Sequence, residues 1–562
     1  MRKTISFFLL ALIVLAGKAA AQVLTADYRV IPLPKNIQNN ANASQMFTLQ
    51  TGMSIAYDAS NEEVSRTAEL LQQWVEQATG IRLTLKPKDK HAAIRLQIAA
   101  PPKKKATRKA KSPLLQEEKS ELSEEAYVLK VESKGISLQA QKPVGLFRAA
   151  QTLRKSLPLV RTDVVLMPYA VIEDEPRFVY RGALLDCARH YFPVGTIKQM
   201  LDVMALHGCN QFHWHLTDDQ GWRFEVKALP ELAQKGSIRE QTVIGPNAGI
   251  YDGTPYGGYY TQDECRDIVR YAAERYINVI PEIDLPGHMQ GALHVYPNLG
   301  CTGGPYPVRT EWGVSREVLC AGNPGTLPFL KTVLGEVCDV FPSPFIHIGG
   351  DECPKNRWKE CPRCQDKAHE LGLSFDGKHS VEDQLQTYIN HEMEGFLNAR
   401  GRNLIGWDET LEGGLTEGAV VMSWRGVNGG IEAARQGHRV IMSPNVFSYI
   451  DHPQLKDVAK QPRTTGSYIV SASKVYSFEP LLPDSLTLQQ QRCILGPQVN
   501  LWTEHVAYPE HLFYQLLPRL GAACEVQWCR PEQRDWDDFK ARLPRLLQLY
   551  DRLGVKYCHG LE

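Results

Sequence analysis

The sequence has no net charge to steer it: 63 basic residues balance 63 acidic ones across 562 positions. A chain without an overall field gains no general attraction for nucleic acid or for an anionic membrane surface, and a neutral polar ligand suits it better. Long apolar runs are also missing. The longest, from Ile5 to Ala16, holds about twelve residues, short of the ~20 that a spanning helix needs, so stable membrane insertion is excluded. Arg2 and Lys3 precede that run, and Ala19, Ala20 and Ala21 follow it. This is the pattern of a secretory signal with an A-x-A site, and it predicts cleavage after Ala21 and export to the periplasm or the medium. No cysteine stands at the cleavage point, which argues against a lipid-anchored form. No internal repeat and no glycine-rich phosphate cradle were found.

Cysteine is absent before Cys187, yet thirteen follow from there on. An exported protein tolerates these as disulfides or as buried thiols, and the odd count leaves at least one unpaired. Cys301 and Cys320 bracket a Gly/Pro-rich loop and are the expected disulfide. Cys353, Cys361 and Cys364, in DECPKNRWKECPRC, suggest a metal. A structural zinc site, however, wants four ligands and usually a second close pair. The sequence shows no such pair, so loop stapling or free thiols is the expectation, with no metal and no cofactor.

What is present divides at about residue 174. Residues 22–174 read as a small α/β domain, with short strands (SIAYDA, IRLQIAA, AYVLKVES, GISLQAQ) and amphipathic helices over Glu62–Thr79 and Gly145–Leu157. The basic run at 101–113 is read as a solvated loop and assigned no function. Residues 175–562 change to apolar strands separated by helical stretches. The strands are ALLDC, NQFHWHL, NVIPEID, FIHIGGD, NLIGWD, VVMSW, RVIMS and GPQVNLW. Eight strands alternating with helices predict a (β/α)8 TIM barrel preceded by the small α/β domain, with a closing helix from Trp536 to Leu553.

In such barrels the site lies at the C-terminal ends of the strands. Those ends carry Asp186 and Arg189, Asp218, Asp284, Asp351 with Glu352, Trp407, Trp424, and Trp502 with Glu504. Carboxylates hydrogen-bond hydroxyls and indole faces stack on the C–H faces of a pyranose, so the lining suits a sugar. Most Asp-Glu pairs are solvated loop residues. This one ends an apolar strand, after Gly349 and Gly350, which allow the chain to turn both carboxylates toward one substrate.

The stretches RGALLDCARHYF, HWHLTDDQGWR, PEIDLPGH, HIGGDE, GWDE, SWRG, SYID and NLWTE, from Arg181 to Glu504, resemble the family 20 glycoside hydrolases in order and content. The resemblance implies a β-N-acetylhexosaminidase acting on the non-reducing ends of glycans that end in N-acetylglucosamine or N-acetylgalactosamine. It implies that the substrate's own 2-acetamido oxygen is the nucleophile, a departure from the usual two-carboxylate scheme. Asp351 would then orient the acetamide and stabilise the oxazolinium intermediate, Glu352 would serve as acid and base, and Tyr449 would donate to the acetamide oxygen. Arg189 would hold hydroxyls O3 and O4, and Asp218 with His288 would form a chain toward Glu352. Asp451 and Glu504 would bind O4 and O6, and Trp407, Trp424 and Trp502 would wall the acetamide and stack beneath the ring. Tyr476 and Phe478 fall where the family brings material to the sugar's outer side, without an assigned role. The 54 residues between Glu352 and Trp407 exceed a normal loop and bear on the leaving-group side.

Two other readings stay open on the residues alone. His213 and His215 share a face of one strand and mimic half of a metal site, with His347 and Asp351 as further ligands, so a metal-dependent barrel hydrolase is one alternative. A non-catalytic sugar-binding protein is the other. Nothing in the sequence sets the oligomeric state.

Overall fold

The computed structural model describes residues 24–39, 45–99, 124–247, 249–414, 418–466 and 468–561. The expected signal segment and the basic run at 101–113 lie outside the described residues.

The N-terminal part carries a seven-stranded mixed sheet. Its strands run Asn36–Asn39, Ala170–Asp174, Tyr127–Glu132, Gly135–Ala140, Ile94–Ile98, Ser54–Ala56 and Thr84–Leu85, in that order across the sheet. Two helices, Glu62–Thr79 and Pro143–Ser156, pack together and onto it. The first buries Val64, Ala68, Leu71 and Val75, a 3.6-residue stripe, and is capped by the Asn61 side chain on the Val64 N–H.

The barrel expected from the alternation is present and closed. Its strands are β1 (Gly182–Asp186), β2 (Gln211–His215), β3 (Asn278–Glu282), β4 (Phe345–His347), β5 (Asn403–Trp407), β6 (Val420–Ser423), β7 (Arg439–Met442) and β8 (Ile494–Leu501), with β8 pairing back to β1. Every pairing is parallel. Leu184, Ile280, Ile405, Met422 and Ile441 form one buried cluster, drawn from five strands, that fills the barrel.

Charge pairs bind the two parts. Glu125 accepts from Arg148 at 2.8 Å and from Arg181 at 2.6 Å, and Trp528 donates its indole N–H to the buried Asp174 at 3.0 Å. The last helix, Trp536–Leu553, runs back to the first domain, where Arg542 donates to the Val30 carbonyl at 2.9 Å and Arg552 to that of Leu159 at 3.0 Å. Tyr476 and Phe478 serve packing. Tyr476 lies against Trp536 and Phe539, and Phe478 stacks on Phe447.

The expected Cys301–Cys320 disulfide is not formed. Cys301 and Cys320 instead converge with Cys361 and Cys364. The two halves of this group sit in different loops, which is why spacing along the chain did not reveal it. Cys353 does not belong to the group.

Candidate functional site

All eleven residues expected to form the site lie at the C-terminal ends of the strands or in the loops just beyond them, each strand contributing at least one. Arg189 follows β1, Asp218 follows β2 and His288 follows β3. Asp351 and Glu352 follow β4, Trp407 ends β5 and Trp424 follows β6. Tyr449 and Asp451 follow β7, and Trp502 and Glu504 follow β8.

The turn after β4 sets the two carboxylates apart. Gly349, Gly350 and Glu352 all adopt left-handed backbone, with φ of 65°, 90° and 46°. For Glu352 this is a strained conformation, of the kind that clusters at functional sites. At Gly349 space matters as much as φ, because a Cβ there would stand 1.9 Å from Asp284 Oδ1. The Gly350 N–H donates to that same oxygen at 3.1 Å. The result is an inner carboxylate, Asp351, with 13% of its side chain exposed, and an outer one, Glu352, with 41% exposed.

A chain of charged groups leads to Glu352 from the barrel interior. Glu282, fully buried, meets His213 at 3.0 Å, His215 at 2.6 Å and His347 at 3.0 Å, and accepts from the Trp407 indole at 2.9 Å. His215 continues to Asp218 Oδ2 at 3.2 Å, and Asp218 Oδ1 meets His288 Nδ1 at 3.1 Å. His288 Nε2 lies 3.6 Å from Glu352 and 3.9 Å from Asp351. Burial opposes charge on His215, but Glu282 and Asp218 raise it to about 10. His288 is likewise desolvated, yet Asp218 and Asp284 hold it well above the usual imidazole range. His213, desolvated with less compensation, falls to about 4. The histidines thus serve one carboxylate in the barrel core. Both oxygens of Glu282 are engaged by protein donors, and His213 is sealed under Trp407, so the His213/His215 pair is no open metal site.

Arg189 is held by three partners: Asp186 at 3.3 Å, Asp218 at 2.8 Å and Gln220 at 3.1 Å. Its guanidinium also stands 5.1 Å from the centre of the Trp502 ring. Trp502 is 5.9 Å from Trp407 and 6.1 Å from Tyr449, and Trp424 stacks on Tyr449 at 6.0 Å and 12°. These four rings form a continuous aromatic wall. Trp424 donates its indole N–H to Glu409 at 2.9 Å.

The carboxyls that face this wall are held unlike ordinary surface acids. Asp351 is pushed up to about 6 by burial and by the neighbouring Glu352 and Glu282, against the pull of His288. Burial comes first in raising Asp284, Asp451 and Glu504, followed by nearby carboxylates: Asp351 for Asp284, Glu504 for Asp451 and Asp186 for Glu504. Glu409 reaches about 9, again through burial first and Asp351 second. Glu352 goes the other way, lowered chiefly by the His288 imidazole beside it. Asp351 Oδ1, Asp451 Oδ1, Glu504 Oε2 and His288 Nε2 are buried polar atoms without a protein hydrogen-bond partner. Buried polar atoms are nearly always paired within a protein. Four such atoms around one aromatic wall describe a pocket for a polyhydroxylated, hydrogen-bonding ligand.

Two members of the site were not singled out from the sequence. Glu282 sits in PEIDLPGH and Glu409 in GWDE. For Glu282 the available signal was an acidic residue inside an apolar strand, which a buried counter-ion must answer; Glu409 lies in the turn beyond β5 and carried no such signal.

Known proteins share this fold. Residues 178–531 match the model of the glycosyl hydrolase family 20 catalytic domain, and residues 27–175 match that of glycosyl hydrolase family 20, domain 2. The chain is 43% identical to a beta-hexosaminidase of Porphyromonas gingivalis, over 78% of this chain and 55% of that protein. It is 39% identical to one of Vibrio furnissii, over 71% and 65%. The matches thus span less than two thirds of either relative's length. Among solved structures, a mutant Streptomyces plicatus beta-hexosaminidase in complex with the product GlcNAc aligns with a TM-score of 0.78 at 30% identity, covering 95% of this chain and 96% of that one. A Vibrio harveyi exo beta-N-acetylglucosaminidase in complex with N-acetylglucosamine gives 0.79 at 29%, covering 95% and 79%.

Proposed function

Because the chain belongs to glycosyl hydrolase family 20, we propose that it is an exo-acting β-N-acetylhexosaminidase that removes terminal β-linked GlcNAc or GalNAc by substrate-assisted, retaining hydrolysis. The observation that carries this reading is the division of labour after β4. One carboxylate faces inward to the aromatic wall, and the next residue faces outward beside a charged histidine.

In this reading the pyranose lies against Trp502, with its acetamide enclosed by Trp407, Trp424 and Tyr449. Asp351, ionised, accepts the acetamide N–H, and the Tyr449 hydroxyl donates to the acetamide oxygen. Held beside C1, that oxygen attacks with the advantage of an intramolecular nucleophile. Positive charge develops on the oxazolinium ring, where Asp351 stabilises it. Glu352 gives its proton to the departing oxygen, then takes one from the water that opens the ring. His288, cationic and fixed by Asp218, favours the carboxylate form of Glu352, the form that takes the proton from water. Arg189, Asp451 and Glu504 hold the ring hydroxyls, and the orphaned oxygens of the last two find their partners there.

Export is part of the same proposal: residues 1–21 direct secretion, and N-terminal sequencing of the mature protein tests it. The activity is tested with aryl N-acetylhexosaminides and a panel of natural oligosaccharides, following the first-formed anomer by NMR. Release of the β-anomer of the free sugar is expected. The α-anomer, or no turnover with any β-N-acetylhexosaminide, would overturn the reading.

A further inference from the structure

We propose that Cys301, Cys320, Cys361 and Cys364 form a structural zinc site that ties the loop after β3 to the loop after β4. Their sulfurs converge, all within 4.8 Å of one another. The separations are 3.8 Å for Cys301–Cys364, 3.8 Å for Cys320–Cys361 and 3.5 Å for Cys320–Cys364. A zinc tetrathiolate has arms of ~2.3 Å, so the edges of its tetrahedron measure about 3.8 Å. The spacing is that of four ligands around one ion, and four sulfurs with no nitrogen or oxygen favour a soft tetrahedral ion.

The surroundings fit a closed site. Cys320, Cys361 and Cys364 are buried and Cys301 partly so. Cys361 and Cys364 open the helix Pro362–Glu370, whose N-terminus favours thiolates. The Arg363 guanidinium lies beside the Cys361 and Cys320 sulfurs and donates to the Gly300 carbonyl at 2.9 Å. Gly322 lies against this turn so closely that a Cβ would stand 1.9 Å from the Arg363 carbonyl oxygen. Binding breaks four S–H bonds and makes four Zn–S bonds. Four protons leave to solvent and nothing is oxidised or reduced. The resulting charge of −2 is offset by Arg363 and the helix N-terminus.

The staple acts on segments that reach the catalytic loops. Leu319, beside Cys320, donates its N–H to the Pro286 carbonyl at 3.0 Å and accepts from the Trp358 indole at 2.9 Å. Arg357 pairs with Glu317 at 3.0 Å. Pro286 and Trp358 belong to the loops that carry His288 and Glu352.

The test uses the full chain, purified without chelator and with thiols kept reduced, and measured for zinc, iron, nickel and copper by plasma mass spectrometry. About one zinc per chain is expected. A mercurial thiol reagent should release it, as read by a zinc-sensitive dye. Cobalt(II) exchanged into the site should show the intense visible bands of a tetrahedral tetrathiolate, and those bands should be lost or altered in Cys364→Ser. That variant should also melt about 5 °C or more lower. If it does not fold, the metal content, mercurial release and cobalt spectrum of the unmutated protein still decide the matter. Iron in place of zinc, a chain that takes up no zinc after reduction, or an intact mass showing these four cysteines joined in two disulfides would each overturn the proposal.

Discussion

Asp351 has to be ionised to accept the acetamide N–H and to face a positive oxazolinium, yet burial and the charges of Glu352 and Glu282 push it up to about 6. Its buried neighbour Asp284 is raised as well, by burial and by the charge of Asp351, so the inflection belongs to the Asp284–Asp351 pair. Protonation removes the acceptor, so kcat/KM falls as pH drops through about 6. At pH 5 about one molecule in eleven keeps the carboxylate, and at pH 4 about one in a hundred, so kcat/KM should fall roughly tenfold for each pH unit. The assay follows kcat/KM against pH with an aryl N-acetylhexosaminide whose good leaving group makes little demand on Glu352. Samples held at each pH and returned to neutrality control for unfolding. In Asp351→Asn the limb should disappear, and kcat/KM at pH 7 should drop by ~2–4 kcal/mol of transition-state stabilisation, about 30- to 1000-fold. A rate that stays flat down to pH 4, or an acid limb that survives unchanged in Asp351→Asn, would refute this account.

Glu352→Gln should reduce turnover of substrates with poor leaving groups by about 10²–10⁴-fold and spare activated aryl glycosides at the glycosylation step; an equal loss for both, read from a leaving-group series, would reduce Glu352 to a pocket residue. Tyr449→Phe should slow oxazolinium formation by about 2–4 kcal/mol with less change in ground-state binding, and full activity would remove Tyr449 from the mechanism. Replacing the acetamide hydrogens one by one with fluorine weakens the nucleophile, so kcat should decline from mono- to trifluoro substrate, while a flat series would exclude substrate assistance. Gly349→Ala places a Cβ 1.9 Å from Asp284 Oδ1, whereas at Gly350 the nearest atom is 3.4 Å away. Activity should therefore be nearly abolished in the first and only partly lost in the second, where backbone strain alone acts; equal losses would show that the close contact is relieved elsewhere.

Much of the barrel was legible because its strands are short apolar runs whose last residues are polar. A carboxylate or tryptophan at the end of such a run has one place to go in a closed parallel barrel. Asp351 and Glu352 could be read for that reason. Glu282 could not, although it lies in one of the quoted motifs, because its importance is relational: it comes from the three imidazoles and the indole that meet it in the barrel core. The cysteines fail for the same reason at greater range. Cys320 and Cys361 lie 41 residues apart and are joined only because adjacent strands deliver their loops to the same face. Arg189 was legible as a fork for hydroxyls. That Asp186, Asp218 and Gln220 hold this fork in advance is visible only in the fold.

The left-handed backbone at Glu352 ties these observations together. A non-glycine residue at φ 46° costs on the order of 1–3 kcal/mol, and it persists only where the surroundings over-determine it. Here they do so from three sides. Asp284 fixes Gly350 through its N–H, and Gln386 fixes the same residue by donating to its carbonyl at 2.7 Å. The β3 loop presses on the other side, where a Cβ at Gly287 would stand 3.2 Å from the Cys353 Cα. That loop carries His288, itself at φ 49°. Two strained residues from neighbouring loops thus meet across 3.6 Å. Relaxing either backbone would move an acid away from the cation that sets its proton affinity. The strain is therefore part of how two successive residues divide between acetamide and leaving group, a division that regular strand geometry would forbid by pointing them to opposite faces.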